Sequence, residues 1–260
     1  LAPLSGVYGS AHAVTATLVE TDTNVTCAVA GVPAANAPVG SYALVATCEG
    51  DNYTATTGAS YVVTPVAAGN SGIVLTGGVY TYDGAAHAAG VSNPNGVAHT
   101  LAYAPGGAAV PVDAGTYNVT LTITDANYAP ETLTAQVVIA PASVTLAFGN
   151  LTQVYDGAPK AASVPATPDV GGISLAYSQG GSPVTPVAAG SYDVAASLAN
   201  PTYVLGGATT ATLVIARAAG TVTFGPTNFT FDGSAHAMTA VITQEPGNLA
   251  ACVLTPVGDD

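Results

Sequence analysis

The sequence predicts an all-β fold, made of small β-sandwich modules of the immunoglobulin (Ig-like) type that follow one another as an extended rod. A block of residues recurs along the chain with glycines spaced 75, 73 and 76 residues apart. Within each block, aliphatic and polar residues alternate, as on a strand with one buried face. No long window shows helical spacing free of Gly and Pro. A β-grasp-like, mainly-β module is the alternative.

The first repeated motif is a turn that contains glycine, and in most copies an Asp-Gly pair. It reads "VYGSAHA" (7–13), "TYDGAAHA" (81–88), "VYDGAPKA" (154–161) and "TFDGSAHA" (230–237). Its central residues are Gly9, then Asp83 and Gly84, Asp156 and Gly157, and Asp232 and Gly233. Asp-Gly pairs supply the positive φ angles of tight turns. The recurrent His12, His87 and His236 have no second metal ligand at a fixed spacing, so we expect solvated turn residues.

The second motif is Gly-Ser/Thr-Tyr, which follows the first after 31, 31 and 33 residues. Another tyrosine comes eleven residues after each motif tyrosine. We expect the first tyrosine to be a core or corner anchor and the second to pack the return strand. The positions are Gly40, Tyr42 and Tyr53; Gly115, Tyr117 and Tyr128; Gly190, Tyr192 and Tyr203.

The strand pattern is clearest in "YNVTLTIT" (117–124), where Val119, Leu121 and Ile123 share one face. Similar runs close each block with almost no linker before the next. The prediction is therefore four modules, the first incomplete at its N-terminus and the last truncated. They are module 1 (1–66), module 2 (67–140), module 3 (141–216) and module 4 (217–260).

Together, Tyr-Asp-Gly, Ala-Gly-Thr-Tyr and Asn-Tyr resemble the MBG ("mostly beta, glycine-rich") repeats that occur in tandem in large bacterial surface adhesins. The resemblance covers essentially the whole chain. It implies an extracellular, stalk-like role at the bacterial cell surface, and it brings no catalytic residues with it. Module 1 departs from the pattern by lacking the Asp before Gly9, and module 3 by having Lys160 where the other modules have His.

A looser likeness is to the tyrosine corner of immunoglobulin domains, in which a tyrosine hydroxyl bonds back to the main chain. Asp113, Gly115 and Tyr117 have the expected Asp-x-Gly-x-Tyr spacing. The other modules have Pro38 and Ala188 in place of the Asp.

The cysteines become informative when the modules are aligned. Cys27 aligns with Ala102, and Cys48 aligns with the core position Ile123. The simplest interpretation is a disulfide that staples a small module, and two buried free thiols are the alternative. A disulfide implies an oxidising compartment. Cys252 aligns with Cys27, so we expect it to be a half-cystine whose partner lies beyond residue 260.

The sequence indicates neither an enzyme nor a cofactor, because no nucleophile, nucleotide or metal motif is present. Glu20, Asp22 and Asn24 are weak calcium candidates in an acidic loop, but they do not complete a calcium loop and no metal is expected. One Lys, one Arg and a net charge of -13 argue against nucleic acid and anionic lipid as partners. No apolar run approaches the ~20 residues of a spanning helix, so no direct membrane insertion is expected.

The expected function is that of structural stalk or spacer repeats in an extracellular bacterial adhesin or surface fibre. Such repeats would project an adhesive tip, and the host or prey ligand would be bound by regions outside these residues. One alternative is that the modules themselves bind a glycan or protein receptor, through an exposed tyrosine found in one module only, such as Tyr61, Tyr80 or Tyr103. Another is a homo-oligomeric fibre that assembles through strand edges.

Overall fold

The computed structural model describes residues 4–17, 24–236, 238–243 and 250–252. Within these ranges the regular structure consists of twenty-one β-strands and one 3-10 helix of three residues. A β-grasp module would wrap its sheet around a helix, and the described ranges contain no α-helix. The all-β prediction is confirmed. The described residues hold no helix that is long and apolar enough to cross a membrane.

The chain divides into two compact units, Leu1–Ala140 and Pro141–Asp260. In its described residues, unit 1 contains one 3-10 helix, Ala68–Asn70, and ten strands. The strands are β1 (Ser5–Val7), β2 (Thr26–Ala30), β3 (Gly40–Glu49), β4 (Thr54–Thr64), β5 (Val74–Thr76), β6 (Gly78–Thr81), β7 (Gly90–Ser92), β8 (His99–Ala104), β9 (Gly115–Ile123) and β10 (Thr132–Ala140).

The first sheet of unit 1 has the strand order β1-β4-β3-β2. β3 and β4 form a long antiparallel hairpin, and β1 joins β4 in parallel. Alternate residues of this hairpin point inward, which buries Leu44, Tyr61 and Val63 in one cluster. The alternation of aliphatic and polar residues thus places the core of module 1 on one face of the sheet.

Module 2 is a two-layer sandwich. A sheet of order β6-β10-β9-β8 faces a two-stranded sheet of β5 and β7. Val119, Leu121 and Ile123 of β9 are 0%, 0% and 5% exposed, so the face inferred from the sequence is the buried one. Ile73 from the second layer packs on Leu121 and Ile123, which closes the core.

Unit 2 contains the remaining strands. They are β11 (Ala142–Leu146), β12 (Thr152–Val154), β13 (Ala166–Thr167), β14 (Ile173–Gln179), β15 (Ser182–Pro183), β16 (Gly190–Leu198), β17 (Tyr203–Gly206), β18 (Thr210–Ala216), β19 (Thr221–Phe224), β20 (Ala240–Thr243) and β21 (Ala250–Cys252). They form sheets of order β12-β18-β16-β14-β15, β13-β11-β17 and β19-β20-β21. The core of module 3 is built on Tyr192, Val194, Leu213 and Ile215.

Candidate functional site

The first motif forms a tight turn that the aspartate closes. Gly84 has φ +80°, a region that favours glycine, and a Cβ placed on it would meet no other atom within 4 Å. The requirement for glycine is therefore conformational. The Asp83 carboxylate accepts the Ala85 N–H at 2.8 Å, and Asp156 and Asp232 repeat this bond at 2.9 Å in their own turns.

The basic residue of the motif pairs with the same aspartate. His87 Nε2 lies 3.0 Å from Asp83 Oδ1, and its ring stacks on Tyr80 with ring centroids 4.3 Å apart. The side chain of His87 is only 14% exposed, so the prediction of a solvated turn residue is wrong at this position. Lys160 pairs with Asp156, and His236 pairs with Asp232 at 3.0 Å. Lysine and histidine thus fill one position, a side-chain nitrogen that contacts the turn aspartate from four residues further along the chain.

Module 1 lacks the aspartate and uses other contacts. Ser10 donates both its N–H and its hydroxyl to the Val7 carbonyl, at 3.1 and 2.6 Å. His12 Nδ1 lies 3.0 Å from the Tyr61 hydroxyl, and His12 Nε2 is buried without a partner in the structure. Gly6 makes room for this pair, since a Cβ there would overlap the Tyr61 hydroxyl oxygen and the His12 ring.

These contacts lower the pKa values of two aspartates. The Ala85 N–H, followed by the His87 side chain, lowers the pKa of Asp83 from its ordinary value. Lys160, followed by the Ala158 N–H, lowers the pKa of Asp156. Both groups stabilise the fold only while they are ionised.

We expect a loss of stability in acid that depends on these two carboxylates. A folded pKa below the unfolded value gives stability that is present above pH ~4 and is lost as pH falls through the folded pKa. Asp83→Asn keeps the acceptor for Ala85 but removes the charge, and Asp156→Asn does the same for Ala158. In thermal melts at decreasing pH, the melting temperature of the double variant should therefore fall less steeply in acid than that of the wild type. An unchanged slope would contradict the assignment.

The tyrosine of the second motif bonds back to the main chain in all three copies. Its hydroxyl donates to the carbonyl oxygen four residues earlier, as Tyr42 to Pro38 at 2.6 Å, Tyr117 to Asp113 at 2.9 Å and Tyr192 to Ala188 at 2.7 Å. Since the acceptor is a backbone oxygen, the side chain at that position is free to vary. The missing aspartate in modules 1 and 3 therefore leaves the corner intact.

The second tyrosines differ from one module to the next. Tyr128 packs beside Leu121 and Ile123, as predicted, and Tyr203 pairs through its backbone with Ala142. Tyr53 is 61% exposed, so the prediction that it packs the return strand is wrong.

A disulfide joins Cys27 and Cys48, as predicted. The two residues lie directly opposite each other on β2 and β3, with Cα atoms 4.0 Å apart. Cys48 is 8% exposed and borders a cavity of about 120 Å³, which Ala46 and Ala55 also line. The cystine therefore crosslinks two neighbouring strands of one sheet at its buried face.

Two other sequence-predicted sites are only partly described. Cys252 lies in β21 opposite Ala240, and its predicted half-cystine role stays a prediction. Glu20 and Asp22 lie outside the described residues. Asn24 donates its amide to Asp51 at 3.0 Å. The described ranges contain no group of three or more His, Cys, Asp or Glu side chains arranged to hold a metal ion.

The tyrosines considered as ligand contacts are structural. Tyr61 and Tyr103 are 2% and 3% exposed, and Tyr80 stacks on His87. The Tyr103 hydroxyl accepts the Ala89 N–H at 3.2 Å, and Tyr177 accepts the Ala162 N–H at 2.9 Å in the next module. Tyr103 therefore has a counterpart and is not specific to one module.

Modules 1 and 2 meet at a joint in which the connecting chain belongs to the fold. Val66, the last residue assigned to module 1 from the sequence, forms a parallel bridge with Tyr128 of module 2. Val66 N–H donates to the Asn127 carbonyl at 3.0 Å, and Ala129 N–H donates to the Val66 carbonyl at 2.8 Å. No free linker residue remains at this point.

Side chains complete the joint. Val39 N–H of module 1 donates to Asn127 Oδ1 at 2.9 Å. The rings of Tyr8 and Tyr128 meet edge to face, with centroids 5.9 Å apart. Sequence reasoning did not find the roles of Asn127 and Tyr8. The available signal was the Asn-Tyr pair, which recurs at 52–53 and 127–128.

Asn127→Ala is expected to lower the free energy of unfolding of unit 1 by about 1–2 kcal/mol, because the partly buried Val39 N–H loses its acceptor. Urea unfolding gives the energy, and amide exchange at Val39 should accelerate. Asn52→Ala is the matched control, since Asn52 aligns with Asn127 but is exposed. Equal effects of the two substitutions would show that the joint contributes nothing.

Comparison with known proteins gives one family. The model of the MBG domain matches residues 1–67, 72–143 and 142–219. A search of curated proteins finds no match.

Several solved structures are similar at low identity. N-cadherin EC1-4 from Drosophila is 11% identical over 84% of this chain and 73% of its own, with a TM-score of 0.27. An I-band fragment of titin is 6% identical over 76% and 89%, with a TM-score of 0.31. The immunoglobulin domains 1–4 of Sidekick-1 are 14% identical over 72% and 60%, with a TM-score of 0.22.

Proposed function

The chain belongs to the MBG domain family, and from this premise we propose that it serves as structural spacer repeats of an extracellular bacterial adhesin or surface fibre. The modules would hold an adhesive region away from the cell, and that region would bind the host or prey ligand. The observation that carries this proposal is the joint between modules 1 and 2, where the connecting chain is paired with module 2 through the bridge from Val66 to Tyr128.

A spacer must resist bending, and the joint supplies the means. A flexible linker would leave two modules free to reorient, since its residues sample many conformations. Here both the N–H and the carbonyl oxygen of Val66 are hydrogen-bonded to module 2. The Asn127 side chain also accepts the Val39 N–H of module 1. Bending would break these bonds together with the contact between Tyr8 and Tyr128. If the other joints follow this pattern, the series is stiff.

The chemistry of module 1 is consistent with an extracellular location. The Cys27–Cys48 disulfide persists in oxidising compartments and is rare in reducing ones. The tyrosines that a binding role would require are buried or stacked, which favours spacing over ligand recognition in these modules.

Single-molecule energy transfer within unit 1 tests the spacing role. Dyes at Asp51→Cys and Ala85→Cys, in a Cys252→Ser background, mark the far ends of modules 1 and 2. We expect one narrow distance distribution at about 60–80 Å, from two modules of roughly 30–40 Å each. Asn127→Ala should broaden it. A broad or short distribution in the unmodified sequence would contradict the proposal.

A further inference from the structure

In each of modules 1 to 3, the strand that leads into the first motif lies beside the strand that closes the module. β1 pairs in parallel with β4, β6 with β10, and β12 with β18. We call each of these pairs the clamp of its module. Because the two strands of a clamp run in the same direction, the chain enters the first strand and leaves the second at opposite ends of the pair. Tension on the chain therefore reaches both strands of the clamp.

The same hydrogen bond ends the clamp in all three modules. The aromatic residue of the first motif donates its main-chain N–H to the carbonyl oxygen of the last residue of the closing strand. These bonds join Tyr8 to Thr64 at 3.0 Å, Tyr82 to Ala140 at 2.8 Å and Tyr155 to Ala216 at 2.9 Å. At the other end of the clamp, the Val62 N–H donates to the Leu4 carbonyl at 3.0 Å, and the Val214 N–H donates to the Leu151 carbonyl at 2.8 Å. In modules 1 and 3, the pairing thus continues past both ends of the short first strand.

Side chains fasten the clamp to the segment that follows the turn of the first motif. In each module, a side chain of one clamp strand contacts a residue in that segment. These contacts join Tyr61 to His12 with the hydroxyl 3.0 Å from Nδ1, Tyr80 to His87 through stacked rings, and the Gln153 side-chain amide to the Ala161 carbonyl at 2.9 Å. In modules 2 and 3, the turn aspartate also holds the segment, through its contacts with His87 and Lys160. The first motif therefore secures the end of the clamp.

The direction of the strands decides how tension acts on the clamp. In module 2, a pull on both ends of the module draws β6 towards its first residue and β10 towards its last, so the two strands are sheared along their length. All hydrogen bonds of the pair are then loaded together, because the bonds of a parallel pair are evenly spaced along it. An antiparallel hairpin that is pulled at its open end loses its bonds one at a time. A sheared pair consequently opens at a higher force than a peeled pair.

We propose that modules 1 to 3 bear tension along the chain, and that the clamp is the element that resists it. The residues between the two clamp strands lie outside the path of the load while the clamp holds. When the clamp opens, the whole module is released in one step. This role goes beyond spacing and depends only on pairing inside a module. A flexible joint would contradict the spacer role and leave this proposal intact.

The disulfide of module 1 provides an internal mark for that step. Cys27 and Cys48 both lie between β1 and β4, so the loop that they close stays out of the extension when the clamp opens. Reduction should lengthen the extension released by module 1 by about 70 Å, since a sequence separation of 21 then becomes extensible at ~3.3–3.6 Å per residue. The extensions released by modules 2 and 3 should not change.

Single-molecule force spectroscopy on the full chain, in a Cys252→Ser background, tests the direction of loading on module 2. Handles attached through Gly69→Cys and Pro141→Cys shear the clamp. Handles attached through Ala85→Cys and Pro141→Cys pull on neighbouring ends of its two strands and peel it. All three positions are exposed, so the substitutions leave the fold intact. At one loading rate, we expect shearing to require about twofold or more the force of peeling, because the bonds of the sheared pair share the load.

Urea unfolding controls for stability, since the two handle variants should have equal midpoints. A difference in force between them then comes from the direction of loading alone. Equal forces, or a higher force in peeling, would overturn the proposal. So would a module 2 that opens under shear in several small steps, because its strands would then leave the sheet one after another. An extension of module 1 that does not respond to reduction would do the same, since the crosslinked residues would then lie outside the step.

Discussion

Replacing Tyr192 with alanine is expected to lower the free energy of unfolding of unit 2 by about 3–5 kcal/mol. Tyr192 is 2% exposed and packs on Val194, Leu213 and Ile215. Its hydroxyl also holds the Ala188 carbonyl at the corner. Truncation removes a buried ring, leaves a cavity and frees the carbonyl. Urea unfolding followed by tyrosine fluorescence measures the change, since the chain has 13 Tyr and no Trp.

Two matched variants separate the ring from the hydroxyl. Tyr192→Phe keeps the ring and loses one hydrogen bond, for which we expect about 0.5–1.5 kcal/mol. Tyr53→Ala removes an exposed tyrosine and should change the free energy of unfolding by less than about 0.5 kcal/mol. A Tyr192→Ala effect as small as that of Tyr53→Ala would contradict the anchoring role of the corner.

Removing the Cys27–Cys48 disulfide is expected to lower the stability of module 1 by about 3 kcal/mol. The bond closes a loop with a sequence separation of 21, and such a crosslink restricts the unfolded chain. Reduction, or the double substitution Cys27→Ser with Cys48→Ser, should lower the denaturant midpoint at which unit 1 unfolds. The midpoint of unit 2 should stay unchanged.

A second pair of substitutions distinguishes crosslinking from packing. Cys27→Ala with Cys48→Ile removes the bond and places at position 48 the isoleucine that module 2 has at the aligned core position, Ile123. The larger isoleucine extends toward the cavity of about 120 Å³ beside Cys48. We expect this variant to regain part of the loss relative to the serine pair. No loss in either variant would show that the disulfide does not stabilise the module.

Strand and turn features followed from local chemistry and were accessible from the sequence. The buried face of Val119, Leu121 and Ile123 depends only on a two-residue period. The disulfide emerged because aligned modules place aliphatic residues at the cysteine positions. Both inferences require only the repeat and the geometry of a strand.

The joint and the partners of the turn histidines could not be predicted from the sequence, because they are set by contacts between distant segments. The environment of His87 depends on Tyr80 of a neighbouring strand, which a turn motif does not reveal. Tyr53 and Tyr128 occupy equal positions in the repeat, yet one is exposed and the other covered. Tyr128 is covered because the Tyr8 ring of module 1 packs on it. A sequence repeat identifies which residues of two modules are equivalent, but it does not predict which neighbouring residues cover each of them.

The most direct test of the spacer role is small-angle X-ray scattering on the full chain. Modules of roughly 30–40 Å in a stiff series give a length of about 120 Å and a radius of gyration of about 35 Å. One compact globule of this chain length would have a radius of gyration of about 18 Å. A value near 35 Å with a rod-like profile is the predicted result, and a value near 18 Å would contradict the account.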